Sequence, residues 1–370
     1  MLYDFEAEFH NLERRALELG VLLRVSTTFV VAVSGGIDSV TALHFLAWLQ
    51  QKYPINVVVA HVNHGLRVEA KNDSDFVSKL AKSYGFPYYE KTIAVSEVAQ
   101  ARGMGIEEAG RYVRKCFWQE LCQELFATNE SISEAAESLL APATLPVVVE
   151  GHQQNDVAET VLLNILRGTG LDGLCSLSEW QLIVDAQKQQ SHYLWRPLLS
   201  LSRQRICDLA EHCGLVWCED QSNYETIYTR NILRNELLPK LEEKFPQTRS
   251  QLAKLSQSLQ AEREILEQMA QNLLDQIRIK EINCDRINLK KSVISRQQLK
   301  KQATGLRKRI IKLWLLQFGV TDINAEQLNK LDMLCTGTTH HASVHLAHGY
   351  IVKLDLKNLY VSQEQAEGDS

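Results

Sequence analysis

Ser34-Gly35-Gly36-Ile37-Asp38-Ser39 sets two glycines, two hydroxyls and a carboxylate in six consecutive positions. The apolar, β-branched run at 29–33 ahead of it predicts a buried strand. Behind it, Val40, Leu43, Leu46 and Leu49 fall near helical spacing. Such a junction aims several backbone N–H groups and the positive end of a helix at one point, which suits a polyphosphate. Gly35 and Gly36 allow close backbone approach, Ser34 and Ser39 bring hydroxyl donors, and Asp38 is a candidate Mg2+ ligand. The spacing is neither G-x-x-x-x-G-K-S/T nor G-x-G-x-x-G. ATP is the expected ligand, with Ser34, Gly35, Gly36, Ile37, Asp38 and Ser39 around its phosphates.

Four further clusters carry chemistry. His61-Val62-Asn63-His64-Gly65-Leu66-Arg67 follows a second strand-like run. Glu108, Arg111 and Arg114 sit in a helical pattern, the two arginines three apart and so close to one face. Gly151-His152-Gln153-Gln154-Asn155-Asp156-Val157-Ala158-Glu159-Thr160 opens a helix with polar and acidic groups and leads to Arg167-Gly168-Thr169-Gly170. Arg196-Pro197-Leu198-Leu199 precedes Trp217, Asp220, Ser222-Asn223 and Tyr228-Thr229-Arg230-Asn231-Ile232-Leu233-Arg234. Taken singly, each has a structural reading: Asp156 and Glu159 complement a helix dipole, and Arg230 and Arg234 pair with nearby acids. Their order along one chain with the phosphate loop favours a composite active site.

The elements that must position these residues alternate. Strand patterns at 29–33, 55–62, 86–89 and 146–149 are separated by helical patterns at 73–84 and 107–125, with another at 156–166. Alternation predicts a parallel doubly wound α/β sheet, with ligands beyond the carboxyl ends of its strands. Residues 127–143 and 185–192 read as surface insertions. The sheet domain is expected to occupy 1–215, a mainly helical α+β substrate-binding region 216–365, and a polar tail 366–370. Within the second region a leucine stripe predicts a packing helix over 246–277, a helix follows over 302–318, and 342–354 reads as a hairpin turning at His348-Gly349.

Composition restricts the class. The chain has 370 residues, 45% hydrophobic and 23% charged, as in ordinary globular proteins. The start of the chain lacks a secretory pattern, and no apolar run nears the ~20 residues of a membrane span. Eight cysteines without a C-x-x-C pair suggest neither zinc nor a disulfide framework, and a reduced cytoplasmic setting fits them. Net charge is −5, yet residues 290–312 carry nine basic side chains and no acidic one. Such a run is a solvated face or, as here without acidic neighbours, a nucleic-acid surface.

The loop resembles the S-G-G-x-D-S loop of ATP pyrophosphatases, enzymes that split ATP between its α- and β-phosphates. Over nearly its whole length the chain is similar to the tRNA(Ile)-lysidine synthetase family. That family shows, in this order, S-G-G-x-D-S, H-x-N-H-G-L-R, A-R-x-x-R, G-H-x-x-D-D-x-x-E-T, R-G-x-G, R-P-L-L, W-x-x-D-x-S-N and Y-x-R-N-x-x-R. Here Asn155 stands for the first aspartate of the pair, Gly110 for the alanine, and Lys115 where tyrosine commonly follows. Family members often carry a further C-terminal domain, and this chain reads as a short form.

The resemblance implies an adenine nucleotide alpha hydrolase-like fold and a two-step reaction. The wobble cytidine (position 34) of tRNA(Ile) with a CAU anticodon attacks ATP through its C2 oxygen and is adenylated. Free L-lysine then displaces AMP, giving lysidine and changing the tRNA from methionine to isoleucine (AUA) specificity. On this reading the catalytic residues are Asp38 on Mg2+, Arg111 on the adenylated intermediate and Asp156. Glu108, Asp156 and Glu159 form the lysine and cytidine pocket, while Arg196, Arg203, Arg230, Asn231, Arg234, Lys308 and Arg309 contact tRNA. No membrane is expected, and a homodimer is left open. A tRNA thiolase sharing the loop would more often carry C-x-x-C. A GMP- or NAD-synthesising relative would leave the basic stretch unexplained, and a non-catalytic tRNA-binding protein would not need Asp38, Arg111 and Asp156 intact.

Overall fold

The computed structural model describes residues 5–25, 27–63, 70–135, 145–175, 177–185, 190–218, 229–279, 291–320, 323–339 and 341–363. By backbone proximity the chain forms one compact unit up to Leu259 and a second from Gln260 onward.

The first unit opens with α1 (Phe5–Glu18), β1 (Thr28–Ala32), α2 (Ile37–Lys52), β2 (Asn56–Asn63), α3 (Ala70–Tyr84) and β3 (Tyr88–Thr92). It continues with α4 (Val95–Arg102), α5 (Ile106–Ala135), β4 (Val147–Glu150), α6 (Gln154–Leu166) and the short α7 (Leu171–Leu174). A hairpin of β5 (Trp180–Asp185) and β6 (Gln190–Trp195) precedes α8 (Arg203–His212). The strand order is β3-β2-β1-β4-β6-β5, parallel throughout except for the antiparallel edge strand β5. Residues 185 and 190–192 therefore belong to strands of the hairpin, although they read as an insertion. In this short Gln-rich stretch the pairing runs across the hairpin, Ile183 to His192 and Asp185 to Gln190, while β4 joins β6 from Tyr193 on, so partner strands and not the local pattern decide. The first residues of the other expected insertion, up to Ala135, extend α5, and 136–143 lie outside the described residues.

Alternation along β1 sorts the two cores. Phe29 and Val31 face one side, with Val57, Val59, Val147 and Val149 and the apolar faces of α1, α2 and α8. Val30 faces the other, with Val58, Ala60, Val62 and Val148 against Val113, Phe117, Trp118 and Leu121 of α5. Strand order reverses between β1 and β4, so the segments leaving these two strands face each other across a crevice.

After 218 come α9 (Thr229–Ile232), a π-helical turn (Leu233–Leu237), α10 (Leu238–Lys244) and the long α11 (Thr248–Ile277). The compact units divide well past the expected boundary at 215, for a physical reason. Arg230 and Arg234 pair with acids on α6, and Ser256 on α11 donates to the Leu174 carbonyl (2.7 Å), tying these helices to the first unit.

The second unit holds the rest of α11, then β7 (Arg278–Ile279), β8 (Lys291–Ser295), α12 (Arg296–Lys300), α13 (Thr304–Gln317) and α14 (Ala325–Thr336). It ends in β9 (Ala342–His345), β10 (Tyr350–Leu354) and β11 (Asn358–Gln363). The strands form one antiparallel sheet, β7-β8-β11-β10-β9, larger than the single hairpin expected. Ile310, Ile311, Trp314 and Leu315 of α13 pack on Ile294, Val352, Leu359 and Val361 of that sheet. The tail 366–370 lies outside the described residues.

The basic run at 290–312 proves to be heterogeneous. Arg296 is 5% exposed and donates to the carbonyls of Leu334, Cys335, Gly337, Thr339 and Asp355, all at 2.8–3.0 Å. A guanidinium has five N–H donors, and here all are spent on backbone oxygens: those of Leu334, Cys335 and Gly337 at the carboxyl end of α14, where the helix dipole favours a cation, of Thr339 just beyond it, and of Asp355 between β10 and β11. Arg307 is equally buried and grips Asp332 with two nitrogens. Both are internal struts, which leaves Lys300, Lys301, Lys308, Arg309 and Lys312 as the described surface cations of the run with placed side chains.

Arg296→Met should destabilise the second unit by at least about 3 kcal/mol, because five carbonyls lose a charged donor that is itself buried. Denaturant unfolding with hydrogen exchange checks both size and location. His192 on β6 is buried, and desolvation with Lys115 nearby depresses its pKa from 6.5 to about 4. The unfolded chain then binds the proton more readily, so this contribution is lost as pH falls from about 6.5 toward 4 and is complete above 6.5. His192→Gln should flatten the acid loss of stability by up to about 3 kcal/mol across that window, read by melting at stepped pH.

Candidate active site

Gly36 begins α2 with no side-chain cap, so the first N–H groups of that helix are left to a ligand. The loop holds itself open. Ser39 Oγ donates to the Gly36 carbonyl (2.9 Å), accepts from the Ser34 N–H (3.2 Å) and lies 3.2 Å from Ser34 Oγ. Gly35 has φ +96°, a conformation side chains resist, and its carbonyl accepts from the Cys218 N–H at 2.9 Å.

Across the crevice, β4 ends at Glu150 and the chain turns through Gly151 and His152 into α6. A Cβ on Gly151 would lie 2.7–2.8 Å from the Asp38 carbonyl group and the Ser39 nitrogen. Only glycine lets the two turns pack this closely, which sets the distance between the phosphate loop and α6. α6 is held by a reciprocal cap in which Gln153 Oε1 accepts from the Asn155 N–H (3.2 Å) and Asp156 Oδ2 accepts from the Gln153 N–H (2.9 Å).

These segments enclose a cleft of about 630 Å³ lined by the loop, Asp38, Arg114, Glu150, His152, Asp156, Glu159, Arg203 and Arg234, among others. Its acids are matched by arginines. Arg203 donates to Asp38 at 2.6 Å. Arg230 and Arg234 both reach Asp156 Oδ1 (3.2 and 3.3 Å) and Glu159 (2.9 and 2.7 Å), whose side chain is 1% exposed. Arg196 and His152 close on Glu150 at 2.9 and 3.1 Å. The π-helical turn follows from Pro239, which lacks the N–H that would bond back one turn. Leu238 N–H bonds instead to the Leu233 carbonyl, and Arg249 takes up that of Arg234 (3.4 Å).

Electrostatics follow. Burial and the nearby Asp156 raise the Asp38 carboxyl to about 6, with Arg203 and Arg234 opposing. For Glu150 burial pushes upward, but His152, Arg196 and Arg114 outweigh it and hold the carboxyl far below the usual range. Burial, with Asp73 accepting from its thiol, raises Cys218 and keeps it protonated.

The structure brings together Asp38, Asp156, Glu159, Arg203 and Arg234 in one cleft, with Arg230 behind the acids. Arg111 and Glu108 are not cleft-lining: both are exposed, and Arg111 pairs with Glu107 one turn back (3.0 Å). Arg114 is the arginine of that helix in the wall. Spacing of three put both near one face but could not say which one reached the ligand. Arg196 is corrected from tRNA contact to internal strut: it is 7% exposed and also donates to the Ser178 carbonyl (2.9 Å). Asn231 is half-buried, Lys308 donates to Asn329 (2.6 Å), and Arg309 lies 3.6 Å from Glu267, the last two in the second unit. His64, Arg67, Asp220, Ser222, Asn223 and Tyr228 lie outside the described residues. Glu150 was missed, having no signal beyond its place at a strand end.

Comparison with known proteins agrees with this layout. A family described as a PP-loop domain matches residues 4–141 and 133–241, and the TilS substrate binding domain matches 294–360. A tRNA(Ile)-lysidine synthase from Synechocystis sp. is 30% identical over 350 residues, spanning 93% of each chain. One from Caldanaerobacter subterraneus subsp. tengcongensis is 32% identical over 83% of this chain. The chain spans 59%, 53% and 41% of that protein and of two clostridial relatives. Among solved structures, the U34-tRNA thiolase NcsA from Methanococcus maripaludis shares the fold at TM-score 0.50 and 18% identity, over 69% of this chain and 80% of its own.

Gly151→Ala should weaken ATP binding by more than about tenfold while the protein still melts cooperatively, because the new methyl must displace the Asp38–Ser39 backbone. Isothermal titration beside a melting curve separates the two effects.

Proposed function

The chain belongs to the tRNA(Ile)-lysidine synthase family, and from that premise we propose that it ligates free lysine to C2 of the wobble cytidine of tRNA(Ile) bearing CAU. The observation that carries this reading is the confrontation, within one cleft, of an uncapped helix start with Asp38 and the acidic pair Asp156 and Glu159. The first is a place for phosphates, the second for a cationic substrate.

In the first step the cytidine C2 oxygen attacks the α-phosphate and pyrophosphate leaves. The N–H groups at the start of α2 and the Arg114 and Arg203 guanidiniums face the growing phosphate charge. Among the described residues no three His, Cys, Asp or Glu side chains converge as a metal cage. An oxygen-only site at Asp38, completed by phosphates and water, fits Mg2+, whose chemistry would be neutralising phosphate charge. In the second step the lysine amine attacks C2, the C–O bond breaks and AMP departs. Asp156 and Glu159 hold the lysine ammonium once Arg230 and Arg234 yield their places, an exchange of cation for cation. In the second unit, phosphate contacts fall to Lys300, Lys301, Lys308, Arg309 and Lys312 rather than the buried Arg296 and Arg307. A sulfur-transfer reaction on the same fold would more often use a C-x-x-C pair, which the sequence lacks.

Incubating the protein with ATP, Mg2+, labelled lysine and CAU-bearing tRNA(Ile) should place label in the tRNA and release AMP and pyrophosphate. Asp38→Asn should lower incorporation by at least about 100-fold with an unchanged melting curve. Absence of label with the unaltered protein would overturn the reading.

A further inference from the structure

Every carboxylate oxygen of Asp156 and Glu159 is already engaged. Glu159 Oε1 accepts from Arg234 Nε (2.7 Å), and Oε2 accepts from Arg230 Nε (2.9 Å) and Arg234 Nη2 (3.0 Å). Asp156 Oδ2 is spent on the Gln153 N–H at the start of α6, while Oδ1 accepts from Arg230 (3.2 Å) and Arg234 (3.3 Å). Two carboxylates thus face two guanidiniums, and a neutral group gives a third cation no electrostatic foothold. A lysine ammonium can enter only as an arginine leaves.

The two arginines are not equivalent. Arg234 lines the cleft together with the phosphate loop, and its side chain is 33% exposed. Arg230 stands behind the acids, and its side chain is 16% exposed. Asp38, in the loop, already feels the Arg234 charge, which counters the upward shift of its carboxyl. The backbone of Arg234 is held in the π-helical turn, its carbonyl accepting from Arg249 (3.4 Å), so a transfer needs only a swing of the side chain. Phosphates at the start of α2 offer that guanidinium a second anion, and its planar fork matches phosphate as well as carboxylate. Once Arg234 has moved, the acids carry one uncompensated negative charge, which an ammonium can fill. Arg230, with Glu107 3.8 Å away, then yields ground without leaving them.

Resting on the lysine-ligation reading, we propose that Arg234 is the gate of the lysine site: its guanidinium occupies the place the substrate ammonium needs, and nucleotide phosphates on the loop draw it off. Nucleotide binding therefore opens the lysine site, and by linkage lysine tightens nucleotide by the same factor. The order has a chemical use, because the lysine amine is admitted only to a cleft that already holds the activating nucleotide. Arg234 is a positioning and specificity residue here, acting through the acids it covers.

Equilibrium dialysis of labelled lysine against the protein, with and without Mg2+ and the α,β-methylene analogue of ATP, reads the coupling. The analogue should tighten lysine binding at least about tenfold, and lysine should tighten the analogue equally. In Arg234→Gln, lysine should bind without nucleotide within about threefold of the affinity that the unaltered protein reaches with it, and the analogue should add nothing further. Arg234→Lys keeps the charge but loses the fork, and its coupling should shrink to about threefold. That variant decides the matter where the glutamine variant does not melt cooperatively. A strut that merely stabilised the fold would weaken lysine binding when removed, the opposite sign. No coupling in the unaltered protein, or coupling undiminished in the variants, would overturn the gate while labelled lysine still enters the tRNA. A protein that neither binds lysine with the analogue present nor incorporates it would overturn the ligation reading and the gate with it.

Discussion

Acidic side chains crowd the cleft of the first unit, and their neutralisation by arginine is the constraint on which its architecture rests. Asp38, Glu150, Asp156 and Glu159 come from two different turns of the sheet. Arg203, Arg196, Arg230 and Arg234 reach them from segments later in the chain. Buried or half-buried carboxylates carry a desolvation cost of several kcal/mol each unless paired with good geometry. Removing the arginines would leave those charges facing one another, so the fold needs α8, α9 and the π-helical turn where they are. The same pairing gives the cleft its chemistry. Acids already matched by arginine can trade partners with a cationic substrate or a metal without a large change in net charge.

Close backbone approach is the second constraint. β1 and β4 are neighbours where strand order reverses, and the segments leaving them carry the phosphate loop and the Glu150–His152 turn. Gly151 lets the two turns touch, so loop, acids and histidine are held by packed backbone rather than by long side chains. That rigidity allows a half-exposed imidazole to keep one orientation.

The second unit solves a different problem with the same residue type. Its basic segment supplies both interior and surface. Arg296 gathers five carbonyls from the end of α14, the segment after it and the β10–β11 turn, and Arg307 binds Asp332, while the lysines between them stay in solvent. Arginine serves inside because its planar fork matches several acceptors at once; lysine, a compact and strongly hydrated charge, stays outside.

The sequence by itself determined the phosphate loop, the alternating sheet and the order of the motifs, because those signals are local: glycines in a turn, apolar residues at strand and helix periods, and acids at a helix start. It also separated a helical and hairpin-bearing second region from the sheet. Tertiary structure alone decided partnership. Nothing in the spacing of Arg111 and Arg114 says which enters the cleft, and nothing in the basic run marks Arg296 and Arg307 as interior. Arg196 reads as a surface contact until β4 brings Glu150 against it, and Glu150 has no signature at all until His152 is seen above it. The physical reason is one and the same. A charged side chain takes its role from the opposite charge it meets, and that charge lies tens of residues away, brought near only when the sheet closes.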